Sequence, residues 1–306
     1  MSEFKNTDKG HIASEIELAR LEKELNILYN RVSKEVTKEI TKKLEAIEIW
    51  KEKNIKLLEN NPTLYYQRLQ NKYLEIDRSK KIVAGVTNQI SSANVQAMAI
   101  VNDKNLSVYA INHNYAMEEI NRQVDFDIKF TIYNKNIVKQ LVDKNPSLFP
   151  QGKIDIPKDK LWNQKKIKQT ILSDVIQGKS VPKIAEDLRC ITDMNKNSSI
   201  RNARTLVTQT QNKARVDNEK EIEDMGIIYE KVWVSTPGGR TRDAHRKVNG
   251  QVADEKGYFR VGGKKMEYPG DKRGGAANVY NCRCSIKKVV KGFDKKKVDE
   301  YVSKNS

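Results

Sequence analysis

The residue types with the greatest capacity for chemistry lie near the carboxyl end of the chain, in two pairs. Asp243 and His245 form one pair, and Cys282 and Cys284 form the other. In extended backbone, residues two apart project to the same side, so the two pairs together would close a four-ligand site. Zinc accepts carboxylate, imidazole and thiolate ligands in tetrahedral geometry. The sequence therefore predicts a structural zinc site made of these four residues.

Two alternatives to this site stay open at the level of sequence. Cys282 and Cys284 fit equally well as small core residues on one face of a strand, with His245 hydrogen-bonded locally. A single Cys-x-Cys is also less diagnostic of metal than paired Cys-x-x-Cys motifs. If metal binds without Asp243, a water position remains in the coordination shell, which is what a hydrolytic site requires.

Four arginines surround these pairs in the sequence. They are Arg240, Arg242, Arg246 and Arg283. The planar guanidinium fork suits phosphate or carboxylate, so these residues are candidates for contact with DNA or with a partner protein. They serve equally well as ion-pair partners for nearby aspartates that hold the loops together. Asp271, at the end of a predicted Pro-Gly turn, is interpreted as a turn cap.

The chain lacks the residue patterns of several enzyme classes. The glycine pairs match neither the dinucleotide-binding nor the P-loop pattern, and there is no Gly-x-Ser-x-Gly elbow. Of the three histidines, His11 and His113 are interpreted as incidental surface residues, which leaves few candidates for acid–base catalysis. The chain is predicted not to be an enzyme.

The composition favours a polyanionic partner. Across 306 residues, 57 basic and 40 acidic side chains give a formal net charge of +17. Such an excess favours double-stranded DNA, or an acidic protein surface, as partner. Charged residues make up 32% of the chain and mean hydropathy is −0.73, which is typical of long solvated helices. With no long apolar run and no apolar leader, we expect no membrane partner and reduced cysteines.

The elements that would position these residues begin with a helical region, residues 1–150. From Ile12 to about Lys53, apolar residues recur every three or four positions, which predicts one long amphipathic helix. Asn60-Asn61-Pro62 interrupts the pattern. Further helices are predicted over Leu64–Lys81, around Val95–Val101, and over Tyr115–Val124. The run Asn145 to Pro150 contains two X-Pro steps and marks a domain boundary.

The second predicted domain, residues 151–290, combines helices with a small β module. Helices are expected over Trp162–Gln177, from Val181 to Leu188, and over Ser199–Met225. The module over 227–290 contains a strand from Ile227, a hairpin at Tyr258–Val261, and a last strand over Ser285–Val290. Residues 291–306 are predicted to form a loosely ordered basic tail. The fold class is therefore mainly helical α+β.

The order of these motifs resembles the Mu F-like head morphogenesis family of tailed phages. The matching segments are Ala203-Arg204-Thr205, Lys231-Val232-Trp233, Thr241-Arg242-Asp243-Ala244-His245, Asn249-Gly250-Gln251, Pro269-Gly270-Asp271 and Asn281-Cys282-Arg283-Cys284. They span about residues 165–290, whereas the helical half before Pro150 carries no motif of the family.

The resemblance implies a low-copy minor head protein of the virion. Such a protein associates with the portal vertex and with capsid or scaffold proteins during procapsid assembly in the host cytoplasm. It contacts DNA and acts in packaging or ejection, without a secure catalytic activity. The alternative that the residues leave open is a metal-dependent nuclease or other hydrolase that uses Asp243 and His245.

Overall fold

The computed structural model describes residues 8–78 and 81–305. The predicted fold class is confirmed, because long helices precede a small region of short antiparallel strands. The helices are α1 (Lys9–Lys53), α2 (Ile55–Asn60), α3 (Pro62–Arg78), α4 (Lys81–Asn121), α5 (Lys135–Lys144), α6 (Ile156–Ile176), α7 (Val181–Val216), α8 (Glu219–Asp224), α9 (Asp243–Lys247), α10 (Gly275–Val279) and α11 (Lys295–Asn305). The strands are β1 (Ile227–Val234), β2 (Phe259–Val261), β3 (Lys264–Met266) and β4 (Ser285–Phe293). Within the described ranges, every helix is either too short or too polar to cross a bilayer.

The chain divides into two compact units. Unit 1 comprises Met1–Glu22, Ile100–Gly152 and Arg201–Ser306, and unit 2 comprises Lys23–Ala99 and Lys153–Ile200. Each unit is thus assembled from separated parts of the chain. The consecutive domains predicted from the sequence, residues 1–150 and 151–290, stay a prediction, because compact units and sequence domains need not coincide.

Unit 2 is a helical bundle with an apolar core and a buried polar network. The predicted apolar stripe of α1 is buried in this unit, as its spacing predicts, at Leu25, Leu28, Val32, Val36, Ile40, Leu44 and Ile47. Asn94 of α4 accepts a hydrogen bond from the Tyr29 hydroxyl at 2.6 Å and donates to Asn195 at 2.7 Å. Asn195 in turn donates to Asn163 at 2.9 Å, so these buried amides satisfy one another.

Unit 1 buries residues that the sequence assigns to the surface. His11 and His113 are each only 5% exposed, so their interpretation as incidental surface residues is wrong. His11 lies within hydrogen-bonding distance of Gln211, and the His113 ring stacks on Tyr133 with centroids 4.0 Å apart. The first turns of α1 also face the core of unit 1, through His11, Ser14 and Leu18. Ile12, the first residue of the predicted apolar stripe, is exposed in the structure.

The strands of unit 1 form two antiparallel pairs. β1 pairs with β4, with Val234 opposite Ser285 and a bulge between Ile228 and Tyr229. The predicted hairpin is confirmed, because β2 pairs with β3 from Phe259 opposite Met266. One core lies beneath these strands; its buried members are Val216, Trp233, Val248, Phe259, Val261, Met266, Val279, Cys282, Cys284 and Ile286.

Three predicted boundaries are wrong. The separate helices expected around Val95–Val101 and over Tyr115–Val124 fall on the single helix α4, which ends at Asn121, before the predicted end. The break expected after Leu188 is absent, since α7 runs unbroken from Val181 to Val216. The loosely ordered tail is instead the end of β4 followed by α11, whose Tyr301 packs with Phe126.

Candidate metal centre and arginine cleft

One face of α7 holds the cysteine-bearing segment in place. The Thr205 hydroxyl accepts a hydrogen bond from the Asn281 amide at 3.2 Å, and the Thr208 hydroxyl donates to the Cys282 carbonyl. The Asn212 amide donates to the Cys284 carbonyl at 3.0 Å, and its carbonyl oxygen accepts from the backbone amide of Ile286 at 3.1 Å. Because these positions are three or four apart, they lie on one side of the helix and fix the backbone of both cysteines.

A tight turn and β1 position the histidine. Gly250 has φ +79°, a conformation that glycine adopts without steric cost, and its amide donates to the Trp233 carbonyl at 2.8 Å. The Trp233 amide donates to the Gln251 carbonyl at 2.9 Å, which closes a second bond across the turn. The Trp233 ring meets His245 edge to face, with centroids 5.7 Å apart and an 80° angle between planes. This contact sets the orientation of the imidazole.

Three of the four predicted ligands come together. His245 Nδ1 lies 3.4 Å from Cys284 Sγ and 3.6 Å from Cys282 Sγ. All three side chains are buried, and their ligand atoms lie within 4.8 Å of one another. Among the residues that the structure describes, these three side chains lie close enough together to bind one metal ion. Imidazole and thiolate are typical zinc ligands.

Asp243 lies apart from this group. Residues 243–247 form α9 rather than the extended segment predicted from the sequence, so Asp243 and His245 do not project to the same side. The Asp243 side chain is 79% exposed and pairs with Arg246. The structure therefore supplies three close ligand atoms from His245, Cys282 and Cys284, and the fourth ligand of the sequence-based site is not among them.

The two thiols differ in their tendency to ionise. Hydrogen bonding from Cys282 holds the pKa of Cys284 below its usual value, against burial, and the hydrogen bond with His245 acts in the same direction. The same hydrogen bond to Cys284, together with burial, raises the pKa of Cys282. A thiolate is the form of cysteine that binds metal, so the environment of Cys284 favours the ligand form even before metal is considered.

The four arginines singled out in the sequence have different surroundings. Arg242 donates to the Tyr280 carbonyl, Arg246 pairs with Asp243, and Arg283 pairs with Glu15 at 3.6 Å. Arg240 is exposed and makes no hydrogen bond or ion pair with any described residue. Arg240, Arg242 and Arg283 line one cleft together with the three clustered side chains, whereas Arg246 does not line it.

Comparison with known protein families finds a match in this region. Residues 165–287 match the model of the family described as phage Mu protein F like protein. The match covers less than half of the chain and shows that this segment is similar to the Mu F-like family.

A curated relative also matches the chain. The NAD(+)–arginine ADP-ribosyltransferase EFV of Enterococcus faecalis (strain ATCC 700802 / V583) is 26% identical over 188 residues. The match covers 61% of this chain but only 34% of that protein, so the chain spans about a third of the relative's length. No solved structure matches the chain significantly.

The family motifs of the Mu F-like region have structural roles in this fold. Asn249 accepts from the Ser235 amide at 2.8 Å, which anchors the turn that faces Trp233. Asp271 caps a short 3-10 helix by accepting from the Arg273 amide at 3.0 Å, as the turn prediction requires. Gly270 has φ +92°, and an added Cβ would lie 3.0 Å from Gln209 Cγ, so the turn packs closely on α7. The motifs thus build one module around the His-Cys cluster.

Sequence reasoning missed the buried polar face of α7. Thr208, Asn212 and Arg215 are at most 5% exposed, and each bonds to the backbone between Cys282 and Ile286. The available signal was a run of polar residues from Thr208 to Lys213 inside a helical pattern, with no apolar residue among them. Buried polar positions at helical spacing look like a solvated face until their partners are known.

Raising the pH from about 7 is expected to stabilise unit 1 through Lys288. Burial lowers the pKa of Lys288 to about 7, and its ammonium lies 2.6 Å from Asn218 Oδ1. An unfolded lysine titrates near 10.4. The unfolded state therefore binds more protons between these values, so the free energy of unfolding rises with pH across that window, by at most about 1.4 kcal/mol per pH unit.

Urea unfolding at pH 7, 8 and 9 measures this dependence. Lys288→Met removes the titrating group, so its unfolding free energy should rise less steeply with pH than that of the wild-type chain. Lys264→Met, at an exposed position of β3, is the matched control and should keep the wild-type slope. Equal slopes for the wild type and Lys288→Met would contradict the prediction.

Proposed function

We propose that this chain is a minor head protein that associates with the portal vertex of a tailed phage. It acts in procapsid assembly and in DNA packaging or ejection. The observation that carries the proposal is the family match over residues 165–287, whose motifs form one connected module in the fold. The partners proposed are the portal protein, capsid or scaffold proteins and double-stranded DNA, with no membrane partner.

The charge of the chain supports contact with DNA. The 57 basic side chains exceed the 40 acidic ones by 17. Affinity for DNA rises with the number of phosphates that basic groups neutralise together. The contact would be nonspecific, because the sequence carries no groove-reading motif. The proposed location is the virion head, with the host cytoplasm as the site of assembly.

We further propose that the His245, Cys282 and Cys284 cluster binds zinc in a structural role. The ion would join α9 to the segment that leads into β4, two parts of unit 1 that are nearly forty residues apart in sequence. Such a cross-link stabilises a small module that contains many loops. A structural zinc ion needs no catalytic activity, in keeping with a head protein.

The alternative of a hydrolase that uses Asp243 and His245 has less support. Its two residues would have to meet at one metal, but the Asp243 carboxylate pairs with Arg246 at the exposed surface. The activity in the name of the enterococcal relative belongs to a protein of which this chain spans about a third, so that activity is not carried over.

The portal association is tested by co-expression with the portal protein encoded in the same phage genome. After nuclease treatment, the two proteins should co-elute from a size-exclusion column in about 0.5 M salt, where the Debye length is only a few ångströms and simple charge attraction is screened. Nuclease treatment removes DNA that would bridge two basic proteins.

An unrelated monomeric protein of similar size and net charge serves as the control and should elute apart from the portal under the same conditions. Clean separation of this chain from the portal at every salt concentration would contradict the portal association. If the two proteins co-elute at low salt but separate at high salt, their association is simple charge attraction, which also contradicts the proposal.

A further inference from the structure

The three clustered side chains form part of the wall of a cleft in unit 1. The cleft has a volume of about 540 Å³. Its walls are the loop from Thr236 to Arg242, the segment Asn281–Cys284, His245, and Arg204 from α7. We call it the arginine cleft, because Arg204, Arg240, Arg242 and Arg283 line it.

The arginine cleft carries an excess of positive charge. Arg204 is neutralised by Glu22, with Nε and Nη2 at 2.7 and 3.1 Å from the two carboxylate oxygens. Arg283 pairs with Glu15. Arg240 and Arg242 have no acidic partner among the described residues, and no aspartate or glutamate of the described chain lines the cleft. Two positive charges are therefore left uncompensated.

A zinc ion at the cluster would not change this balance. Two thiolates from Cys282 and Cys284 neutralise the charge of Zn²⁺, and His245 is a neutral ligand. Three protein ligands leave one position of a tetrahedral shell for another group. Since the same side chains line the cleft, that fourth position is reached from the side on which Arg240 and Arg242 lie.

The surroundings suit an anion at this position better than a reacting water. A hydrolytic zinc site uses a nearby carboxylate or another base to take the proton from its bound water. The described lining of the cleft offers guanidinium groups and hydroxyls in place of a carboxylate. Arginines with their fork geometry are the usual ligands of phosphate.

We propose that the arginine cleft binds a phosphate group, as the free ion or as a terminal monoester, with one phosphate oxygen at the fourth position of the zinc and the others at Arg240 and Arg242. A phosphate monoester carries a charge of about −1.5 to −2 at pH 7, which matches the two uncompensated arginines, whereas a carboxylate carries half of that. The inference rests on the zinc site proposed above. Free phosphate and the 5′-phosphate at a DNA end share this chemistry.

The test uses the full-length chain loaded with Co²⁺, which reports its coordination shell by visible absorption. Addition of inorganic phosphate is expected to shift the cobalt bands, and calorimetry with the zinc-loaded chain is expected to show saturable binding. Arg240→Ala should weaken phosphate binding by about tenfold, the loss expected for one charge-assisted contact. Arg246→Ala, an exposed arginine of the same module outside the cleft, should bind phosphate as the wild type does.

Short duplexes with and without a 5′-phosphate distinguish the two sources. Tighter binding of the phosphorylated duplex identifies the DNA end as ligand, whereas equal binding of both duplexes with a response to inorganic phosphate identifies the free ion. The proposal is overturned if phosphate leaves the cobalt bands unchanged, if Arg240→Ala binds phosphate as tightly as Arg246→Ala, or if metal-free and zinc-loaded chains bind it equally. The metal content of each sample is measured separately, so a failure of zinc binding is recognised as such.

Discussion

Arg215→Met is expected to lower the free energy of unfolding of unit 1 by roughly 3–5 kcal/mol, the loss typical of breaking a buried ion pair from one side. The side chains of Arg215 and its partner Asp8 are only 3% and 11% exposed. Removal of the guanidinium takes a buried positive charge away from the Asp8 carboxylate. Burial acts to raise the pKa of Asp8, but the charge and hydrogen bonds of Arg215 outweigh it and hold that pKa below its usual value.

The cost is large because Arg215 joins three parts of unit 1. Its guanidinium binds Asp8 just before α1, donates to Asn112 Oδ1 of α4 at 2.9 Å, and donates to the Ile286 carbonyl of β4 at 2.8 Å. It also lies over the Tyr115 ring, 5.2 Å from the centroid. A methionine fills the volume but donates a hydrogen bond to none of these acceptors.

Urea unfolding followed by Trp233 fluorescence measures the effect in unit 1. Trp50→Phe and Trp162→Phe in the background make Trp233 the sole tryptophan, since the chain has three. Arg246→Ala is the matched control, because its exposed pair with Asp243 is expected to contribute less than about 1 kcal/mol. Asp8→Asn combined with Arg215→Met should cost less than the sum of the single changes. Additive costs, or a loss no larger than that of the control, would contradict the ion-pair argument.

The helices were predictable where local spacing decides them. The apolar stripe of α1 from Leu21 to Ile47 recurs at helical intervals and is buried in the structure, whereas Ile27, which lies off the stripe, is exposed. Asn61-Pro62 ends one helix and begins the next, as the restriction before proline requires. Strand β1 and the hairpin of β2 and β3 follow from β-branched and aromatic residues and from the glycines between them.

The break predicted within α7 failed for a tertiary reason. The stretch between Leu188 and Ser199 is polar and has weak helix formers, so its local pattern favours an interruption. In the structure Asn195 is buried and bonds to Asn94 and Asn163, partners more than thirty residues away in sequence. These contacts compensate for the weak local preference, and no sequence window contains them.

The site was predictable in its chemistry and only partly in its geometry. The ligand types and the Cys-x-Cys spacing identify three residues that meet in the fold, His245, Cys282 and Cys284. The prediction of Asp243 as a fourth ligand assumed an extended backbone. The segment is instead a helix of five residues, which is too short for its periodicity to be recognised in the sequence. The residues of α7 that hold the cysteines were missed, because their partners are backbone carbonyls more than seventy residues away.

Full-length chain expressed with zinc and purified without a polyhistidine tag is expected to contain about one zinc ion per molecule. Cys284→Ser should abolish stoichiometric zinc binding, because it removes a thiolate at the centre of the cluster. With free zinc a thousandfold above its Kd, the bound ion stabilises the fold by about 4 kcal/mol, so the metal-free chain should unfold at a distinctly lower urea concentration. Elemental analysis and urea unfolding of the same samples measure the two effects.

The control for this change is Cys190→Ser, which replaces the exposed cysteine outside the cluster and should keep both the zinc content and the unfolding midpoint. The competing interpretation makes a different prediction, because buried thiols without metal are small core side chains. In that case the purified wild type contains no zinc, a chelator leaves its unfolding unchanged, and serine at position 284 costs only the burial of a hydroxyl. If a chelator lowers the unfolding midpoint of the wild type but not of Cys284→Ser, the stabilisation comes from the bound zinc ion and not from the packing of the ligand side chains.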